Sequence, residues 1–388
     1  MNHKKKILVF STAYMPLVGG AELAIKEITD RIPEYDFFMI TTRFSRAHPK
    51  QEHIGNIEVY RVGTGFVPLF DKLLSPILGA VQARALMKKH SFSLFWSMMV
   101  SFTSLAPFFL KIIGMHKKTP ILLTLQEGDS EAHLTYRYAG LMYVMWKLAV
   151  RHANGIQAIS NYLANLARAR GARASIDIVP NGVAISHFTE ERAVGERDAL
   201  KEKLGKKPGD IYIITTSRLV LKNAVDDGIK ALQYLPSHIQ FLILGRGPLE
   251  QELKDLAKKL RLESRVIFAG EVHHKEMPTY LQISDAYLRP SLSEGLGSSF
   301  LEAMAAGIPV IATRVGGIPD FLTDRVTGLF CKVRNPQSIA EKVTELLGHD
   351  ELRNSIVRNA KRMVDEKYDW NAIATEMKIV FDKCIHNS

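Results

Sequence analysis

Short, unbroken apolar runs recur along the chain, separated by stretches in which apolar residues return every three or four positions. The first run, residues 6–14 (KILVFSTAY), predicts a strand covered on both faces. Similar runs fall at 36–42, 57–63, 93–99, 120–126, 155–160 and 176–180. A second series falls at 211–217, 239–244, 266–269, 286–290, 309–313 and 328–333. Strands alternating with helical patterns predict an α/β architecture with parallel sheets. Between the two series, Pro180-Asn-Gly-Val favours a turn, and the polar stretch from Ser186 to Asp210 reads as a linker. The pattern thus predicts two domains, residues 1–186 and 187–370. A last segment, 371–388, is amphipathic through Ile373, Met377, Val380, Phe381 and Cys384.

One region departs from this pattern. Between Phe66 and Lys118, large apolar residues (Phe66, Val67, Leu69, Phe70, Leu73, Leu74, Ile77, Leu78) mix with Lys72, Arg84, Lys88, Lys89, Lys111, Lys117 and Lys118. A buried helix pair with solvated lysines on its outer face is the default reading. A helix pair lying on an anionic membrane surface is the other.

Length agrees with two cores: 388 residues exceed what one core usually holds. The net charge of +11 is unevenly placed, with 22 Lys and Arg against 12 Asp and Glu through Ser186, then 29 against 28. One basic half facing an anionic partner is implied. Nucleic acid qualifies by charge, but no recognised binding motif accompanies it, so none is expected. Cys331 and Cys384 lie far apart and form no metal or redox spacing, which suits a reduced, cytoplasmic protein. Lys4-Lys5-Lys6 leads straight into a run too short for a secretory signal, and no apolar stretch has the length of a membrane span.

Candidate chemistry centres on Pro290–Ala312 (PSLSEGLGSSFLEAMAAGIPVIA). Gly295 and Gly297, flanking Leu296, offer the positive-φ freedom of a tight strand-to-helix turn. Ser298 or Ser299 is expected to cap a helix over Phe300–Ala306, which Gly307 and Pro309 stop. A helix start suits a phosphate or a sugar hydroxyl, with Glu294 at its lip and Glu302 one turn inside. The eight-residue spacing of these glutamates means little, because Glu263 and Glu271 repeat it without the surroundings. A second turn, Ser217-Arg218-Leu-Val-Leu-Lys222, places two cations at a strand's carboxyl end, where open α/β sheets bind ligands. Gly19-Gly20, Gly245-Arg-Gly247-Pro and Gly316-Gly-Ile-Pro-Asp320 are further glycine turns. Gly19-Gly20 lacks the dinucleotide spacing.

The flanks of the glutamates, Pro-Ser, Glu-Gly-x-Gly and Glu-Ala-Met-Ala-x-Gly-x-Pro-Val-Ile-Ala, resemble the signature of retaining glycosyltransferase family 4, which has the GT-B fold. Pro180-Asn-Gly-Val and Gly316-Gly-Ile-Pro-Asp320 resemble further family motifs. The resemblance implies two Rossmann-like domains with parallel sheets facing across a cleft. The acceptor domain comes first, the donor domain second, and the last helix packs back on the first. It implies transfer of a hexose from a UDP- or GDP-sugar to a saccharide or lipid-linked acceptor, in polysaccharide or glycolipid synthesis. Arg218 and Lys222 resemble the diphosphate clamp. Glu302 would take the ribose diol and Glu294 the donor sugar. Gly19, Gly20, Gly245, Gly247 and backbone near Val272 would line the donor site. Where the family often has a histidine at the end of the fifth strand, this chain has Gln126, followed by Glu127, Asp129 and His133 on the sugar or acceptor side. No Asp-x-Asp occurs, so no metal or other cofactor is expected. The enzymatic rivals are a sugar-nucleotide epimerase or a phosphorylase. The rivals of other classes are a silent sugar-nucleotide binder or a nucleic-acid binder.

Overall fold

A computed structural model describes residues 4–114, 118–129 and 140–387. They divide into two compact units. One lies within Met1–Glu127, Glu131–Gly182 and Trp370–Ser388, the other within Gly128–Ser130 and Val183–Asp369.

The first unit is built on eight strands: β1 (Lys5–Phe10), β2 (Tyr35–Thr42), β3 (Gln51–Ile54), β4 (Ile57–Val62), β5 (Leu94–Met98), β6 (Ile121–Leu125), β7 (Gly155–Ala158) and β8 (Ile176–Ile178). Their order is β3-β4-β2-β1-β5-β6-β7-β8, parallel throughout except β3 on β4. The central strands read as apolar runs because helices cover both faces; Ile7, Leu8, Val9 and Phe10 are wholly buried. The first strand is shorter than its apolar run, ending at Phe10 before polar Ser11 and Thr12. β3 escapes the sequence reading because it is a four-residue edge strand with no buried side chain. The helix Trp370–His386 belongs to this unit, and its Phe381 ring lies 4.9 Å from Trp96.

The second unit carries β9 (Ile211–Thr216), β10 (Ile239–Leu244), β11 (Val266–Gly270), β12 (Ala286–Arg289), β13 (Val310–Thr313) and β14 (Leu329–Cys331). All are parallel, in the order β11-β10-β9-β12-β13-β14. The order reverses between β9 and β12, and that reversal opens a crevice at their carboxyl ends. In the first unit the equivalent reversal lies between β1 and β5.

Two expectations are corrected. The stretch after Ser186 is no bare linker: it forms helices Ile185–Thr189 and Val194–Leu204, the second with no buried residue and hence no apolar period to read. The buried-helix reading of the region after Phe66 holds for helix Ala106–Ile112, where Ala106, Pro107, Phe108 and Leu110 are buried, and fails for the helix before it. Helix Pro68–Met87 leaves Phe70, Leu73, Ile77 and Val81 exposed. Lys111 is held by the His152 carbonyl and the Asn154 side chain; Lys117 lies outside the described residues. No described helix is long and apolar enough to cross a membrane.

Candidate active site

The crevice of the second unit is bordered by two turns. After β9 the chain runs Ser217-Arg218 into a short 3-10 turn, Leu221–Asn223. After β12 it runs from Pro290 to Gly297 into helix Ser298–Ala305. The two are joined directly, since the Leu292 N–H donates to the Lys222 carbonyl at 2.6 Å. The β9 turn is itself fixed by Asn223, whose side-chain amide donates to the Arg218 carbonyl at 2.6 Å. The Arg218 side chain stays exposed.

Glu294 does not sit at an open lip. It is buried, and its Oε1 accepts from Arg289 Nη2 at 2.5 Å and from the Ser291 hydroxyl at 3.2 Å. Arg289, the last residue of β12, is buried too. Its Nη1 donates to Ser299 Oγ at 2.7 Å, and its guanidinium lies 4.4 Å from the Phe300 ring centre. Burial alone would lower the Arg289 pKa, but the Glu294 charge outweighs it and raises the value, so the guanidinium stays charged. With Oε1 engaged twice, the other oxygen is turned elsewhere. Oε2 lies 3.9 Å from the point a Cβ on Gly128 would occupy; Lys222 Nζ is 3.0 Å and the Gly295 nitrogen 3.4 Å from the same point. A carboxylate oxygen, an ammonium and a backbone amide thus converge on the space where Gly128 lacks a side chain. Asp129, next in the chain, forms an ion pair with Lys222 at 3.3 Å.

Neither serine caps the helix. Gly297 is the N-cap at φ +91, with no side chain capping it, because Ser299 is held by Arg289 and by Tyr287 (2.8 Å). The helix start therefore keeps its first amides open. Only Gly297 of the expected pair needs positive φ; Gly295 does not use it. Leu296 is buried. Gly316 and Gly317 brace Glu294 from behind. The Gly317 N–H donates to the Glu294 carbonyl at 3.1 Å, and a Cβ on Gly316 would stand 1.9 Å from that oxygen.

Glu302, on the same helix, is mostly covered and lies 3.7 Å from His274 Nε2. His274 stacks on His187, ring centres 5.0 Å apart, and the His187 ring N–H donates to the His274 carbonyl at 2.9 Å. Val272, half-buried, precedes this pair on the loop after β11. Gly245 and Gly247 turn out to be close-packed. Cβ atoms there would stand 2.0 Å from the Ser217 carbonyl and 2.3 Å from that of Leu219. The need they meet is backbone packing under the Arg218 turn.

In the first unit, Gly19 is the N-cap of helix Gly20–Asp30 in extended conformation, with Glu22 Oε2 2.7 Å from where its Cβ would be. Burial pushes the Glu22 carboxyl up, against backbone bonds from Glu22 and Gly19 that pull it down. Gln126 exchanges amide hydrogen bonds with Asn181 at 3.0 and 3.1 Å. Glu127 is buried and accepts from the Val100 N–H at 2.7 Å; burial pushes its carboxyl up. His133 lies outside the described residues.

Residues 196–363 match the family described as Glycosyl transferases group 1, and residues 18–187 match Glycosyltransferase Family 4. The chain belongs to the group 1, family 4 glycosyltransferases. Enzymes of this kind use nucleotide-sugar donors. This glycosyltransferase is 31% identical over 208 residues to an uncharacterised glycosyltransferase of Methanocaldococcus jannaschii, and the match spans about half of that protein, 53% of either chain. It is 29% identical over 230 residues to the GDP-mannose-dependent alpha-(1-6)-phosphatidylinositol monomannoside mannosyltransferase of Mycobacterium tuberculosis, covering 56% of this chain and 59% of that one. Sucrose-phosphate synthase of Thermosynechococcus elongatus is similar in fold, with a TM-score of 0.83 and 18% identity over 99% of this chain and 100% of that one. The likeness shows the GT-B fold.

Sequence reasoning passed over Arg289, His187, His274 and Gly128. Arg289 had a readable signal, an arginine inside a four-residue strand otherwise apolar, where an unpaired charge would be costly. The histidines and Gly128 had none, because their neighbours come from distant parts of the chain.

Proposed function

We propose that this glycosyltransferase is a retaining hexosyltransferase. It moves a hexose from a UDP- or GDP-sugar to a saccharide or lipid-linked acceptor, without a metal. The observation that carries the reading is the convergence of Lys222, Glu294 Oε2 and the Gly295 amide on the space beside Gly128. The second unit is assigned the donor and the first unit the acceptor.

Breaking the anomeric C–O bond of the donor leaves negative charge on the diphosphate and positive charge on the sugar ring. Lys222, Arg218 and the uncapped amides at Ser298 and Ser299 are suited to the first. Glu294 Oε2 takes a hydroxyl of the hexose, and Arg289 holds the carboxylate in that orientation. Glu302 accepts both hydroxyls of the ribose, a carboxylate offering two acceptor oxygens at a fixed bite. The acceptor oxygen bonds to the anomeric carbon on the face from which the diphosphate departs. The electrons of the broken bond pass to the phosphate oxygen, which takes the acceptor's proton. No side chain is assigned as general base. Gln126 has no titratable group to take or give a proton, and its amide is engaged by Asn181. The Mycobacterium relative, by its name, takes GDP-mannose; UDP-hexoses remain in the panel to be tested.

Thermal-shift screening with UDP-glucose, UDP-galactose, GDP-mannose and the free nucleotides tests the reading, followed by donor hydrolysis in EDTA. A stabilising donor, hydrolysed in EDTA and bound less well by Glu302→Ala, is the expected result. Stabilisation by none of them sinks the donor site, and a donor bound but never turned over leaves a silent binder.

A further inference from the structure

The helix Pro68–Met87 is inverted relative to an ordinary surface helix. Its buried positions are mostly small or polar: Asp71, Ser75, Pro76, Gly79 and Ala83, with Leu86 the one large apolar side chain among them. Asp71 earns its place there by accepting from the Thr64 and Gly65 N–H groups at 2.6 and 2.8 Å, bonds that hold its carboxyl below the usual range against the upward push of burial. The outward face is large and apolar. Phe66, Phe70, Leu73, Ile77 and Val81 follow one another by four, three, four and four positions, so they form a single line along the helix axis. Each is between 47 and 64% exposed. The same line runs on, by three and four positions, to Arg84 and Lys88, both exposed. At its other end the Arg46 guanidinium lies 3.5 Å over the Phe66 ring.

We propose that this face docks on an anionic lipid bilayer, the helix lying in the interface plane. Soluble helices put the large apolar side chains inward. Here the open apolar strip is on the order of several hundred Å², the size at which an exposed patch often marks an interaction site. A bilayer fits it better than a protein does. The strip carries cations at both ends, and the only acidic residue of the helix, Asp71, is buried on the opposite side. Apolar side chains meet the acyl boundary and the cations meet phosphate headgroups. In a second copy docked on the same face, Arg46, Arg84 and Lys88 would find no carboxylate on the opposing helix to receive them.

The test is flotation of the full chain with vesicles of phosphatidylcholine alone and of equal parts phosphatidylcholine and phosphatidylglycerol. Binding to the anionic vesicles is expected, falling as salt rises. It should drop at least ten-fold in Phe70→Ser/Ile77→Ser and in Arg84→Glu/Lys88→Glu. All four side chains are exposed, so both variants should keep the wild-type melting temperature and the wild-type thermal shift with nucleotide. That second readout separates loss of docking from failure of the donor site. Equal binding by wild type and both variants, no binding to anionic vesicles, or a dimer in light scattering that Ile77→Ser abolishes would each overturn the proposal.

Discussion

The most informative residue is one whose importance depends on its partner. Arg289 and Glu294 form a buried ion pair, and removing one member strands the other's charge. Such a break costs about 3–5 kcal/mol, whereas replacing both by apolar residues is often neutral. Arg289→Gln should therefore lower the denaturation midpoint sharply, and Arg289→Met/Glu294→Met should regain most of it. Activity should stay lost in both, because Oε2 is no longer aimed at the donor. A double variant that recovered stability and turnover together would reduce the pair to a structural role. Lys222 is the contrasting case. It is partly exposed and pairs with Asp129 at 3.3 Å, so Lys222→Ala should leave the melting temperature within a degree or two. Its kcat should fall about 10²–10³-fold, the usual effect of removing one donor to developing charge. Steady-state kinetics beside a thermal melt checks both halves. An unchanged kcat would remove Lys222 from the leaving-group account.

At the scale of elements, the site depends on how closely turns approach one another. Gly316 has φ +53, and any Cβ there would meet the Glu294 carbonyl at 1.9 Å. Gly316→Ala should thus displace the Glu294 loop as well as strain the turn. The backbone conformation alone costs about 1–2 kcal/mol for an alanine. The expected outcome is a fall in nucleotide-sugar turnover exceeding that of Gly348→Ala, where a Cβ would meet nothing within 4 Å. Equal activity in the two would mean the loop tolerates the push. These approaches also explain what was legible beforehand. Every strand of the second sheet could be placed within two residues from its apolar run, and in the inner strands burial on both faces writes a continuous signal. The serine cap could not be judged in the same way. Ser298 and Ser299 satisfy the local rule for N-caps, but the buried Arg289 and Tyr287 take the hydroxyl of Ser299 and Gly297 takes the cap position. Local propensity lost to a tertiary hydrogen bond that no single segment encodes. The reversed helix at Pro68–Met87 misled for a related reason: periodicity reveals that one face is apolar, but not which way that face points.

For the whole molecule, the last helix ties the end of the chain to its beginning within the first unit. Asp382 accepts from Lys5 at 2.9 Å and from the Tyr35 hydroxyl at 2.6 Å, while Lys378 reaches it at 3.0 Å. Burial pushes its carboxyl up, but the Tyr35 and lysine hydrogen bonds more than reverse that and hold it far below the ordinary value. A carboxylate with a depressed folded pKa adds stability that is complete above the unfolded value, about 3.9, and is lost as pH falls through the folded one. Asp382→Asn should therefore destabilise the first unit at pH 7, on the order of 2 kcal/mol given a side chain about one-third exposed. The gap to wild type should narrow as the pH is lowered below 4. The measurement is clean, because all three tryptophans, Trp96, Trp146 and Trp370, belong to the first unit. Denaturant titrations followed by tryptophan fluorescence at pH 7, 4 and 3 report on that unit without contribution from the second. A difference that stayed constant or widened on acidification would mean that the charge of Asp382 does not bind the terminal helix. Its anchoring would then rest on Phe381 and the apolar residues around it.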